Sequence, residues 1–260
     1  MTHHHAVQID PWFSAIAFLA LASALLVYPL LAVWSSRRYR KWPLHRYVFW
    51  SVGVITGGAA VVGPLAQLSH SNFTAHMVGH LLLGMLAPLL ILYGKPVALL
   101  LRSVPRNWAL TMSRFLHSPF VSFVGHPMTA ALLNVGGLYI LYRTNVFIWM
   151  HQSIVVYALI HLHISFAAYL FTMSILYVDV TARRYSFLFR ALVLIGAFAG
   201  HKILAKSLYV VPPAGVDAHD AQKAALIMYY GGDMIDLAII ILLFFGWYKA
   251  TAPGRISRAA

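Results

Sequence analysis

The sequence predicts an all-α, polytopic membrane helix bundle, and three observations predict it. Sixty-one per cent of the 260 residues are apolar, only ten per cent are charged, and mean hydropathy is +0.75. A soluble domain carries roughly a quarter charged residues, so the solvent for most of this chain is lipid. Seven runs also approach or exceed the ~20 residues that a helix rising ~1.5 Å per residue needs to cross ~30 Å of hydrocarbon. Finally, the basic residues collect between alternate runs.

The seven predicted spans are 12–34, 47–69, 74–93, 120–142, 151–178, 187–209 and 224–248. No short signal-peptide pattern precedes the first, so it is read as a span. The first connection, 35–46, holds Arg37, Arg38, Arg40, Lys41 and Arg46. Connection 94–119 holds Lys95, Arg102, Arg106 and Arg114, interleaved with apolar residues in the manner of an interfacial helix. Asn134 interrupts the fourth span, and His201, Lys202 and Lys206 interrupt the sixth. Segment 179–190 adds Arg183, Arg184 and Arg190, and the tail adds Lys249, Arg255 and Arg258. The opposite connections hold only Arg143 and Lys223, and 210–223 contains Pro212, Pro213 and Gly215, which preclude a continuous helix. Positive residues mark the cytoplasmic side, so the N-terminus is expected outside and the C-terminus inside.

The formal charge of +13 would suggest nucleic acid in a soluble protein, but here it follows membrane topology. One domain is expected over 1–260, with an outer tail 1–11 and a cytoplasmic tail 249–260. No cysteine is present, which excludes disulfides, thiolate metal sites and cysteine nucleophiles. Metal chemistry must rest on His, Met and carboxylate.

Ionisable groups inside a span are costly, so each is a functional candidate. His76 and His80, in HMVGH, project from one face of the third span at a spacing that two imidazoles need to share a metal. His151 marks the outer edge of the fifth span, with His161 and His163 deeper. Residues two apart diverge by ~200° on a helix, so one of His161 and His163 faces a neighbouring helix. The sixth span adds His201, and the seventh adds Asp233 and Asp236, three apart and roughly on one face. Met77, Met228 and Met234 lie at similar depths, and the outer loop adds Asp217, His219 and Asp220. All of these groups are expected in the outer half of the membrane or at its rim.

Plainer readings compete. An isolated membrane histidine more often bonds a neighbouring helix than a metal, which applies best to His163. Asp233 and Asp236 can equally be ion-pair partners of Lys202 and Lys206, and the methionines read as packing residues before ligands. The start Met1-Thr2-His3 resembles a Cu(II) chelate but reads first as an ordinary tail. A thiolate-free His, Met and carboxylate set suits copper best, with zinc second. Haem is the competing cofactor, through His80 with His161 or His161 with His201.

From the second span onward the residues resemble the CtaG-type integral membrane assembly factors of caa-type cytochrome c oxidases. The resemblance rests on HMVGHLLLGMLAPLL (76–90), IHLHISFAAYLF (160–171), GHKILAKSLY (200–209) and DAQKAALIMYYGGDMIDL (220–237). It implies a seven-span fold and a role in maturing the copper-containing oxidase, and it carries onto His76, His80, His161, His163, His201, Asp220, Asp233 and Asp236. The family's third-span motif often has Gln before its second histidine, where this chain has Gly79; Lys202 and Lys206 are charges beyond the pattern.

The expectation is therefore a non-catalytic factor of the cell membrane that binds copper at its outer face and delivers it to oxidase subunits. His76 and His80 are its primary pair, with His161 or His201 completing the site and the aspartates tuning it. A homodimer is compatible with the sequence. The alternatives are a membrane haem protein or oxidoreductase subunit, and an ion or proton transporter using Lys202, Asp233 and His201. A zinc hydrolase is disfavoured, because HMVGH lacks the Glu of His-Glu-x-x-His.

Overall fold

The computed structural model describes residues 11–181 and 183–252. The Met1-Thr2-His3 motif and the tail residues Arg255 and Arg258 lie outside the described residues. Among the described residues every regular element is helical: α1 (Pro11–Arg38), α2 (Leu44–Val61), α3 (Pro64–Ser69), α4 (Phe73–Leu81), α5 (Ala87–Gly94), α6 (Pro96–Ser103), α7 (Arg106–Leu116), α8 (Pro119–Val124), α9 (Pro127–Ala131), α10 (Gly137–Arg143), α11 (Val146–Gln152), α12 (Ile154–Leu176), α13 (Phe187–Val210) and α14 (Ala218–Thr251). Two π-helical turns, Leu82–Leu86 and Leu132–Gly136, join α4 to α5 and α9 to α10.

Five helical stretches are long and apolar enough to cross a membrane: Pro11–Arg38, Phe73–Ser103, Ile154–Leu176, Phe187–Val210 and Ala218–Thr251. A sixth candidate is the pair Pro127–Arg143 and Val146–Gln152, bent by 77°. Helix α2 is not among them, since its first turn already holds His45 and Arg46. The protein is thus a multi-pass helical membrane protein.

Several expected boundaries move, for local reasons. Run 47–69 breaks at Gly63, whose φ of 96° no L-residue takes readily, and restarts at Pro64. Run 120–142 breaks at Gly125; His126 then caps α9, its Nδ1 accepting the Met128 N–H at 3.3 Å, and Pro127 opens the next helix. Run 151–178 breaks at Ser153, which caps α12. The last span starts early because the Asp217 carboxylate accepts the N–H groups of His219 and Asp220. Most of connection 94–119 is helical, and α7 buries no residue, leaving Trp108 and Phe115 exposed.

Helix α2 packs against α1 and α5, α12 against α5 and α9, and α14 against α4 and α13. The α2–α5 contact is close because Gly53 has no side chain; a Cβ there would lie 2.9 Å from the Ile91 nitrogen. At the arginine-rich end Asp179 accepts the N–H groups of Val97 at 2.8 Å and Ala98 at 3.0 Å, capping α6 from the α12–α13 connection. Burial pushes its carboxyl above the ordinary aspartate value, against the pull of those donors. Three apolar cores fill the bundle among the described residues. One surrounds Met77, Leu204, Leu208 and Met228, a second surrounds Leu89, Phe171, Ile175 and Ile239, and a third surrounds Tyr28, Ala32, Trp42 and Leu99.

Candidate functional site

The two histidines of HMVGH share a helix but not an environment. His76 packs flat on Phe73, ring centres 5.6 Å apart, with Phe147 edge-on, and its Nε2 is 3.1 Å from the Tyr142 hydroxyl. His80, one turn further in, stands 6.0 Å from His201 of α13, ring to ring, with planes 25° apart. Neither His80 nitrogen has a hydrogen-bond partner, nor does Nε2 of His201. Both residues are 6% exposed. Such groups cost of order 1–3 kcal/mol each when buried unbonded.

The rings have room because two neighbours are glycines. A Cβ at Gly84 would meet the His80 ring at 3.3 Å, and one at Gly232 would meet His201 Cε1 at 3.1 Å. His80 and His201 line a cavity of about 30 Å³ together with Asp236, Asn134, Thr172 and Met85. That volume holds one or two water-sized species, since one water needs roughly 10–15 Å³ on this measure. Leu138 of the first core and Phe171 and Ile239 of the second line the cavity, and both π-helical turns border it, through Gly84 and Met85 and through Asn134 and Val135. Such turns recur at functional sites because the extra residue re-aims side chains and frees backbone groups.

All six acids of the chain are aspartates, and five are described. Asp217 caps α14 and Asp179 caps α6. Asp220 accepts from Phe73 N at 2.7 Å, Thr74 N at 3.1 Å and the Thr74 hydroxyl, so it caps α4 from the first turn of α14 and sets the height of the histidines. Asp233 forms an ion pair with Lys202 on the partly exposed α13–α14 face. Asp236 alone among these five has no hydrogen-bond or ion-pair partner for either carboxylate oxygen, and it is 4% exposed. Three residues of helix therefore separate a paired, half-exposed carboxylate from a buried, unpaired one.

The other expected residues lie off this cavity. His161 donates Nδ1–H to the Tyr157 carbonyl at 2.8 Å and packs on the Tyr157 ring at 4.0 Å. His163 points away, its Nε2 donating to the Leu133 carbonyl of the second π-helical turn at 3.1 Å. Gly137 makes that approach possible, since a Cβ would lie 2.5 Å from the His163 nitrogen. Met77 and Met228 are fully buried packing residues, and Met234 is exposed. Lys206 stacks over Tyr229, as Lys202 also does. Among the described residues no three His or Asp side chains already converge closely enough to enclose a metal. Sequence reasoning missed His70, Tyr142 and Tyr157. His70 falls in the connection before α4, beyond the predicted spans, and the two tyrosines carry no periodic signal.

Comparison with known proteins agrees with the expected family. Residues 26–250 match the family described as cytochrome c oxidase caa3 assembly factor (Caa3_CtaG). Uncharacterized proteins of Mycobacterium bovis and Mycobacterium tuberculosis are each 32% identical over 168 residues, covering 57% of this chain and 23% of their own length. One of Mycobacterium leprae is 28% identical over 189 residues, covering 66% of this chain and 27% of its own. The chain thus spans about a quarter of the length of these curated relatives. No solved structure matches it. The chain belongs to the cytochrome c oxidase caa3 assembly factor family.

Proposed function

From that membership we propose that the chain is a non-catalytic assembly factor that binds copper between His80 and His201 and passes it to an oxidase subunit. The observation that carries this reading is the set of unpartnered polar atoms on one cavity: His80, His201 and Asp236. Imidazole nitrogens are good ligands for copper, and a thiolate-free pair holds it loosely enough to release. Asp236 supplies negative charge near the bound cation, which offsets the cost of burying either charge alone. The primary pair therefore becomes His80 with His201, and His76 becomes a neighbour held by Tyr142.

A haem reading has less support, because a cavity of about 30 Å³ suits an ion and not a macrocycle. A transport reading would use Lys202 and Asp233, which pair with each other on a half-exposed face. The topology that goes with the copper reading is seven crossings of the cell membrane with the N-terminus outside. Its support is the fifteen basic residues on one side against Arg143 and Lys223 on the other. Helix α2, packed between α1 and α5, would be the seventh crossing.

The test is the Cu(I) content of detergent-purified protein loaded anaerobically, with His80→Ala and His201→Ala beside wild type and His163→Ala as control. Copper should be lost in the first two and kept in the control. Equal copper in all four would sink the assignment. The same variants should fail to restore assembled oxidase in cells lacking the factor.

A further inference from the structure

Above the His80–His201 pair, four more histidines gather at the end of the bundle formed by residues 62–72, 144–153 and 211–217. His70 precedes α4, His76 lies in its first turn, His151 ends α11 and His161 lies on α12. His151 stands 6.0 Å from His70 and 6.4 Å from His76, ring centre to ring centre. Tyr157 is stacked on His70, at 5.1 Å, and packs tilted against His161, at 4.0 Å.

The tautomer of His151 can be deduced. A carbonyl oxygen only accepts, so His151 must carry its proton on Nδ1, which lies 2.8 Å from the Phe147 carbonyl. In the neutral ring Nε2 then carries the lone pair. A backbone carbonyl holding one ring nitrogen so that the other can ligate is the usual support of a metal-binding histidine. His70 contributes a buried Nε2 with no hydrogen-bond partner. Both rings are half-buried, whereas His80 and His201 are fully buried.

The spacing also fits. In linear two-coordinate copper, two metal–nitrogen bonds of about 2 Å, plus about 1 Å from each nitrogen to its ring centre, separate the rings by about 6 Å. The His70–His151 and His80–His201 pairs both stand at 6.0 Å, and His76–His151 at 6.4 Å.

We propose that His70 and His151 form a second, shallower Cu(I) station, from which the ion passes by way of His76 to the His80–His201 pair. The proposal rests on the copper reading above. At each step one copper–nitrogen bond breaks as another forms; oxidation state and proton count stay unchanged. His151 serves two pairs, since it neighbours both His70 and His76. Direction comes from charge. Asp220 at the shallow end is committed to the α4 cap, whereas Asp236 at the deep cavity is unpaired. A cation is therefore more stable at the deep pair, and the shallow one loads and empties quickly.

The test uses the full chain in detergent with Cu(I) as the only added metal, reading stoichiometry and retention against a competing chelator. Wild type should bind about two ions, one stripped quickly and one slowly, and His70→Ala/His151→Ala should keep only the slow one, as exchangeable imidazole ligation implies. His80→Ala/His201→Ala should keep only the fast one. If the His70/His151 variant still binds like wild type, the shallow station is refuted and the deep site stands. If wild type binds no copper, the copper reading itself has failed. Should either variant not fold, carbethoxylation of the wild-type histidines is mapped with and without Cu(I). Protection of His70 and His151 is expected, and unprotected rings would overturn the proposal.

Discussion

His76 and His80 occupy successive turns of one helix and yet belong to different kinds of site. Around His76 the polar and aromatic groups largely satisfy one another: Tyr142 meets its nitrogen, Phe73 and Phe147 enclose its ring, and Asp220 secures the helix start above it. Around His80 five buried polar atoms are left unmet. Its two nitrogens, His201 Nε2 and both Asp236 oxygens have no hydrogen-bond partners on a cavity lined from two of the apolar cores. A buried polar group is normally bonded, so an unbonded set on a single cavity marks a place prepared for something else. The partnered turn is held in place by its neighbours, and the unpartnered turn is the one on which the proposed deep copper site rests.

The comparison can be broken most sharply by exchanging its two members. His80→Ala should weaken Cu(I) binding at the deep pair by more than about 100-fold, beyond the ~10–100-fold that loss of a supporting residue costs. His76→Phe, which preserves the aromatic packing, should change that affinity less than about fivefold. Competition titrations against a Cu(I) chelator measure both, and equal losses would erase the distinction.

A smaller effect should come from the frame. Asp220→Ala removes the acceptor for two N–H groups and a hydroxyl at the α4 start. It should cost about 2 kcal/mol in a thermal melt, and a melt equal to wild type would show that the cap is dispensable. Asp236 should respond in the opposite direction. Without metal, Asp236→Leu should be neutral or stabilising by about 1 kcal/mol, since it removes a buried, unpaired carboxyl. The same change should lower copper retention, and strong destabilisation of the metal-free protein would mean that Asp236 has a structural partner. The smallest effect concerns His163. His163→Leu should cost under about 1 kcal/mol, the usual worth of a hydrogen bond between membrane helices, and leave copper content unchanged. Loss of copper there would bring His163 back into the site.

Much of the architecture was legible because membrane helices are announced by composition. Long apolar runs gave the helices; the caps that Asn72, Ser186 and Asp217 place at helix starts emerged only in the structure. Less legible were the breaks. Gly63, Gly125 and Ser153 interrupt apolar runs whose average hydropathy hides a single turn. Of the candidate site, the divergence of His161 from His163 was readable, since it follows from 100° per residue. The pairing was not. An i,i+4 spacing proposes His76 with His80, and only the neighbouring helices reveal Tyr142 beside one and His201 beside the other.

By itself, then, the sequence determined an all-helical membrane protein with its ionisable groups confined to a few heights along a few helices. Composition and periodicity are properties of one segment at a time, and lipid acts on each segment alone. Which of those groups are satisfied and which are not was decided only by the tertiary structure. Asp233 and Asp236 read alike in the sequence; the α13 neighbour pairs one with Lys202 and leaves the other on the cavity. Satisfaction of a polar group depends on atoms brought within about 3 Å by packing, and here those atoms come from helices far apart in the chain.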